Sequence, residues 1–258
     1  MDFNFKKKFG QNFLRDNNII SNIIKLVDPN EDDLIIEIGP GAGALSKELV
    51  KFNSFYRAFE IDEDTKDYLL SLETDKAKII YKDFMKVDIK EEIKDIKYNR
   101  LFIIGNLPYY ITSSIILKIL DLDLDVYKQV YMVQKEVADR FASKEGNREY
   151  GSITVLLNAY YKVKKEFVVG KNCFYPVPKV DSAIISFEKN VDNQDIINNK
   201  FKNVVRDAFQ FKRKTLRNNF KGYDLEKLES ILNEYGFSLN NRAEEIPYDV
   251  YIKIAKSL

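Results

Sequence analysis

The run Asn106-Leu107-Pro108-Tyr109-Tyr110 follows directly on the apolar stretch Leu101-Phe102-Ile103-Ile104-Gly105, and its residue types suit the exocyclic amine of a nucleobase. An Asn amide oxygen and a nearby backbone carbonyl can each accept one N–H, while an aromatic ring stacks on the flat base. The same five residues also read as a plain strand-to-turn junction, since Asn, Gly and Pro are common in turns.

A second stretch, Leu34-Ile35-Ile36-Glu37-Ile38-Gly39-Pro40-Gly41-Ala42-Gly43, is a buried strand running into glycines. Such a turn lets the backbone approach a ligand closely, and a helix after it offers unpaired N–H groups. Gly39-x-Gly41-x-x-Ala44 satisfies the loose dinucleotide fingerprint, so the loop alone leaves NAD and S-adenosylmethionine both open. Glu60 ends a second apolar run where a ribose-binding acid belongs, or is a solvated strand-end acid. Asp83 follows a third run and is placed either to accept an adenine amine or to cap a helix.

These residues need a sheet to gather them. Apolar runs at Leu34 to Ile38, Phe55 to Glu60, Ala77 to Tyr81, Leu101 to Ile104 and Val130 to Val133 are separated by amphipathic, helix-length segments. That alternation predicts mostly parallel strands, and Val163 to Val169 and Ala183 to Phe187 bring the total to about seven. An α/β fold with helices on both faces follows, with ligands at the carboxyl ends of the strands. Asp16 is placed to cap a helix carrying Ile19, Ile20, Ile23, Ile24 and Val27 at helical spacing. Lys6 to Leu14 lacks clear periodicity and reads as an arm over the cofactor rather than a strand. Near Asn190 the pattern changes to a polar linker, Val191 to Asp195, and then to helical periodicity only. The chain therefore divides into 1–190, including an arm at 1–15, and a small all-helical domain at 191–258.

Of 258 residues, 45% are hydrophobic, enough for a large core and a smaller one. No run reaches the length of a membrane span, and Lys6, Lys7 and Lys8 precede a polar segment rather than a signal-peptide core. The expected compartment is the cytoplasm. Cys173 is the only cysteine, which excludes an internal disulfide and a cysteine-cluster metal site. Histidine is absent, removing the usual general base and the commonest transition-metal ligand. Hydrolases built on serine or zinc are thereby disfavoured; methyl transfer from a sulfonium loses nothing. The net charge of +1 hides a segregation: between Lys200 and Lys221 eight basic residues stand against one acid, Asp207. That run reads as a phosphate-binding face or as a solvated helix face.

Gln11-Asn12-Phe13-Leu14, Glu37 to Gly41, Glu60, Asp83, Asn106 to Tyr110, Tyr150-Gly151 and Phe174-Tyr175-Pro176-Val177-Pro178-Lys179-Val180-Asp181-Ser182 occur in one order. Together they resemble the bacterial small-subunit rRNA adenine dimethyltransferases, the kasugamycin-sensitivity enzymes. Ser46 stands where Thr is common and Ser114 where Pro is common. The resemblance implies a Rossmann-like methyltransferase sheet and transfer of methyl groups from S-adenosylmethionine to N6 of two adjacent adenines. Those adenines lie in the loop of the 3′-terminal helix of 16S rRNA, presented within an assembling small subunit. Asn106 and the Leu107 carbonyl would hold the amine, with Tyr109 on one face of the base and Phe174 either covering the other or packing in the core. Around the cofactor the resemblance sets Asn12, Leu14, Gly39, Glu60, Asp83 and Asn106, and Gly41 and Gly43 serve the same turn; for Asn12 and Leu14 the resemblance is the main ground. Lys212, Arg213, Lys214 and Arg217 would contact RNA phosphates, with Lys6 to Lys8 as a second contact. A monomer without a metal is expected.

Three rivals remain open at this level. One is a macrolide-resistance methyltransferase acting on 23S rRNA, which Tyr110-Ile111-Thr112-Ser113 and Pro176 to Ser182 fit less well. Another is an assembly factor that works mainly by binding. The third is an NAD-dependent oxidoreductase, disfavoured by the absence of histidine.

Overall fold

A computed structural model describes residues 12–122, 124–190 and 199–258. Lys6 to Lys8, Gln11 and the linker Val191 to Asp195 lie outside the described residues. The described strands are β1 (Phe13–Leu14), β2 (Leu34–Ile38), β3 (Phe55–Glu60), β4 (Ala77–Tyr81), β5 (Leu101–Asn106), β6 (Val126–Gln134), β7 (Tyr161–Val169), β8 (Phe174–Tyr175) and β9 (Ser182–Lys189). Seven of them form one sheet in the order β4-β3-β2-β5-β6-β9-β7, with helices on both sides. β1 and β8 make a separate antiparallel pair.

The central strands are parallel, and β2 is buried at every position. That explains its unbroken apolar character, because a parallel strand covered on both faces has no solvent side to alternate with. Register brings Ile38 opposite both Phe59 and Gly105, and Asn106 opposite Met132. The carboxyl ends of β2, β3 and β5 therefore finish at one level. Their next residues, Gly39 and Ile61, and the last residue of β5, Asn106, share that edge.

Two sequence-based expectations need correction. The helix expected directly after the glycines begins only at Ser46 and ends at Leu49, because Gly39, Gly41 and Gly43 take φ of 67°, 56° and 77°, outside the right-handed helix. The arm is not wholly irregular: Phe13 pairs with Tyr175 and Leu14 with Phe174. By contrast, Asp16 caps Asn17–Ile24 as its type suggested, accepting from the N–H groups of Asn18 at 2.9 Å and Ile19 at 3.2 Å.

The chain divides into two compact units, Met1–Ala138 with Lys165–Phe187, and Asp139–Lys164 with Glu188–Leu258. This differs from a single cut near residue 190, since 139–164 belongs with the C-terminal helices. Tyr150, Val155 and Ala159 pack in one core with Phe201, Phe220, Leu228 and Tyr251. Local periodicity along 139–164 carries no information about which of two cores it will join.

At the amino ends of β2 and β5, Asp33 is 1% exposed. Its carboxylate accepts from Arg100 Nη2 at 2.6 Å, Arg100 Nε at 3.1 Å, the Arg100 backbone N–H at 3.0 Å and the Asn30 N–H at 2.7 Å. The guanidinium also lies over the rings of Phe102 and Tyr127. Burial pushes the carboxyl up, but Arg100 and the backbone donors outweigh it and hold Asp33 below its ordinary value. Asp33→Ala should destabilise the protein by about 2–4 kcal/mol in urea unfolding, less than for a fully buried pair because Arg100 is partly solvated. A depressed carboxyl stabilises above its unfolded pKa and loses that contribution as pH falls through its folded one. The gap between wild type and Asp33→Asn should accordingly shrink below about pH 4.

Candidate active site

The strand ends open onto a cleft lined by Asn12, Glu37, Gly39, Gly41, Glu60, Asp83, Asn106, Leu107 and Tyr109, with Ile61, Phe84 and Met85 among its apolar walls. Nearly every residue that the sequence of the first unit marks for chemistry lies here. Gly105 explains how β5 reaches it. A Cβ at that position would stand 2.7 Å from the Ile38 carbonyl oxygen, so only glycine lets β5 lie this close to β2.

Asn106 donates from Nδ2 to the Asn12 carbonyl at 2.8 Å. The bond orients the amide and leaves Oδ1 as an acceptor, with no hydrogen bond from any described residue. Leu107 is 1% exposed, and its N–H is taken by the Met132 carbonyl at 3.1 Å. Its own carbonyl accepts from no described residue. The next carbonyl, that of Pro108, is already engaged by Ile111 N–H at 3.2 Å and Thr112 Oγ1 at 3.0 Å. Two acceptors therefore remain side by side at this turn, one from a side chain and one from the backbone. Tyr109 is half-buried, and its hydroxyl lies 2.7 Å from Ser182 Oγ. Burial pushes this phenol up, so it stays protonated at neutral pH.

On the glycine side, Glu60 is 4% exposed and accepts from the N–H groups of Gly41 at 2.9 Å and Asp62 at 2.8 Å. The Phe13 ring lies against Gly41, where a Cβ would meet it at 2.6 Å. Glu37 is fully enclosed and hydrogen-bonded by the Tyr56 hydroxyl and by Ser46 Oγ. Burial pushes its carboxyl up to about 7. Asp83 does cap its turn, accepting from Met85 N–H at 2.9 Å, and still borders the cleft.

The lining acids Glu37, Glu60 and Asp83 stand against one base, Lys82. A pyrophosphate on the glycine loop would face buried carboxyls, with only the one-turn helix Ser46–Leu49 beyond it to compensate, which weighs against a dinucleotide. A ligand bearing a sulfonium, ribose hydroxyls and an adenine fits: acids for the charge and the hydroxyls, bare backbone at Gly39 and Gly41, apolar walls for the base.

Phe174 departs from its expected place. It is 3% exposed, packs in the core of the first unit with Leu14 and Val169, and does not line the cleft. Successive strand residues point to opposite faces, so the pleat that buries Phe174 turns Tyr175 outward, 47% exposed. Sequence reasoning assigns no individual role to Phe13, Glu37, Met85 or Ser182. Phe13, Glu37 and Ser182 sit inside recognisable motifs, whereas Met85 carries no local signal. In the second unit Lys212, Arg213, Lys214 and Arg217 are exposed; Arg217 Nη2 lies 3.8 Å from Glu229 Oε2, while the other three have no ion-pair partner among the described residues. Among the described residues there is no cluster of potential metal ligands and no helix long and apolar enough to cross a membrane.

The family described as ribosomal RNA adenine dimethylase matches residues 2–258. A ribosomal RNA small subunit methyltransferase A from Mycoplasma mycoides is 42% identical over 254 residues, covering 96% of each chain. Its counterpart from Clostridium acetobutylicum is 36% identical over all of this chain and 95% of its own. A dimethyladenosine transferase from Plasmodium falciparum superposes with a TM-score of 0.76 at 24% identity, covering 94% of this chain and 95% of its own. The 23S rRNA methyltransferase ErmE gives 0.73 at 21% over 96% and 99%. The two structures speak to the fold; the matches in sequence speak to the family. The chain belongs to the ribosomal RNA adenine dimethylases, enzymes that methylate adenine in rRNA with S-adenosylmethionine as the donor.

Proposed function

We propose that this chain dimethylates N6 of two adjacent adenines in the loop of the 3′-terminal helix of 16S rRNA, acting in the cytoplasm as a monomer on an assembling small subunit. The observation that carries the chemistry is the pair of open acceptors, Asn106 Oδ1 and the Leu107 carbonyl, next to the Tyr109 ring. Support for the small subunit comes from the names of the relatives that match along the whole chain. The likeness to ErmE is one of fold and does not favour 23S rRNA.

An adenine amine is a poor nucleophile because its lone pair is delocalised into the ring. Asn106 Oδ1 and the Leu107 carbonyl each accept one of its N–H groups, favouring a pyramidal nitrogen and stabilising the positive charge that grows there. S-adenosylmethionine supplies a methyl carbon already activated by its positively charged sulfur. No protein base is needed, since the methylated nitrogen is acidic and its proton leaves to water. After one transfer a single N–H remains, and one acceptor suffices to hold it for the second. Tyr109 stacks on the base, with Ser182 fixing the ring plane. Glu60 accepts the ribose hydroxyls and Asp83 the adenine amine of the cofactor; Gly39 and Gly41 admit it against bare backbone, and Asn12 and Leu14 close the arm side. Lys212, Arg213, Lys214 and Arg217 contact rRNA phosphates.

Glu60→Ala should weaken S-adenosylmethionine binding in calorimetry by roughly ten- to a hundredfold, the scale of a missing charge-assisted acceptor; unchanged affinity would remove Glu60 from the site. With saturating cofactor, Asn106→Ala should lower the single-turnover rate by about 10²–10³, and Tyr109→Ala should slow it as well. Tyr109→Phe keeps the stacking ring but loses the tether, so it and Ser182→Ala should show similar losses of only severalfold; a Tyr109→Phe variant as inactive as Tyr109→Ala would count against stacking. Replacing Lys212, Arg213, Lys214 and Arg217 by Ala should flatten the salt dependence of rRNA binding by roughly 0.7–0.9 for each phosphate no longer neutralised. Because Arg217 is shared with Glu229, most of that change should come from the other three. An unaltered slope would make the run an ordinary solvated face.

A further inference from the structure

Phe211 is the one phenylalanine among the described residues left largely in solvent, 53% exposed. Its neighbours in the second unit are treated differently: Phe201 and Phe220 are fully buried, and Phe209 and Phe237 pack against the same core. Phe211 takes no part in that core. A lone exposed aromatic is unremarkable on a loose loop, but this backbone is held. Asn219, itself 5% exposed, accepts the Phe211 N–H on Oδ1 at 3.0 Å and donates from Nδ2 to the Phe211 carbonyl at 3.4 Å. The same carbonyl accepts the Lys214 N–H at 2.9 Å, closing a turn with Lys212 and Arg213 at its centre.

The cations of this turn are left open as well. Arg206 is drawn to Asp207 at 3.0 Å and Arg217 lies near Glu229, whereas Lys212, Arg213 and Lys214 have no ion-pair partner among the described residues. Just beyond, the chain is pinned by Leu216 N–H on the Asn241 carbonyl and Arg217 N–H on the Leu239 carbonyl, both at 2.9 Å. A rigid turn thus presents one flat apolar ring and three unpaired positive charges within four residues. Single-stranded nucleic acid offers the complement, a stacking face on each base and a phosphate on either side. Burying a base on the ring also removes apolar surface that folding left in water.

We propose that Phe211 is a stacking platform for an unpaired RNA base, with Lys212, Arg213 and Lys214 holding the adjoining phosphates. This rests on the reading of that turn as an rRNA-binding face, and adds that the contact is to an unstacked nucleotide rather than to duplex backbone alone.

The chain contains no tryptophan, so Phe211→Trp introduces a sole indole reporter at the ring itself. Its fluorescence should be quenched by small-subunit rRNA and by single-stranded oligoadenylate, and much less by a perfect RNA duplex of equal length. In filter binding to small-subunit rRNA, Phe211→Ala should weaken affinity by roughly 5- to 100-fold, the range for removing one base–aromatic stack, with the salt slope and melting temperature unchanged. Phe211→Tyr should restore most of that affinity. The Lys212, Arg213, Lys214 triple Ala variant should do the reverse in kind, flattening the salt slope. If that triple variant loses slope but Phe211→Ala binds like wild type, stacking is overturned and the phosphate-binding face stands. If the triple variant keeps its slope, both fall. Indole fluorescence unmoved at saturating rRNA, or quenched by anionic phospholipid vesicles and not by RNA, also overturns the proposal.

Discussion

Gly105 sits where two backbones come closer than any side chain permits. With a Cβ there, 2.7 Å would separate it from the Ile38 carbonyl oxygen and 3.1 Å from the Leu107 side chain. Glycine inside a strand costs conformational entropy and contributes no packing, and it is retained where another chain segment must approach. Here that approach lets β2 and β5 keep five rungs of parallel pairing, from Leu34↔Leu101 to Ile38↔Gly105. The residue after the last rung is Asn106 on one strand and Gly39 on the other. The Asn106 to Tyr110 turn and the glycine loop are therefore neighbours because one side chain is missing.

From that edge the site is completed by segments far away in sequence. The Asn12 carbonyl sets the Asn106 amide across 94 positions, and the Phe13 ring covers Gly41. A two-residue ladder to β8 contributes little by itself. Leu14, 5% exposed in the core of the first unit, does more to hold the arm, since burying one such side chain is worth about 1.5–3 kcal/mol. Ser182 likewise tethers Tyr109 from 73 positions on. Asn106 and Tyr109 are thus each oriented by a residue distant in sequence.

Charge is divided between the two units. Buried acids, Glu37 and Glu60, border the cleft in the first unit, the site proposed for a cationic cofactor. The second unit carries exposed cations at 212–214, proposed to meet phosphates. A net charge of +1 averages these away. It is the distribution, not the sum, that distinguishes the partners.

Much of this was legible in the residues. The succession of apolar runs, the Asp16 cap, the glycine loop and the Asn106 to Tyr110 turn are local patterns, determined by side-chain periodicity and backbone allowance within a few positions. The sequence also set apart the basic stretch from Lys200 to Lys221. Tertiary structure alone decided what depends on pairing across long distances. It buried Phe174 and exposed Tyr175, since the pleat of β8 is set by its partner β1; it assigned 139–164 to the C-terminal core; it delayed the helix after the glycines to Ser46. The open acceptor on Asn106 is of the same kind. An amide has two ends, and only the carbonyl that reaches one of them decides which is left open to the cleft.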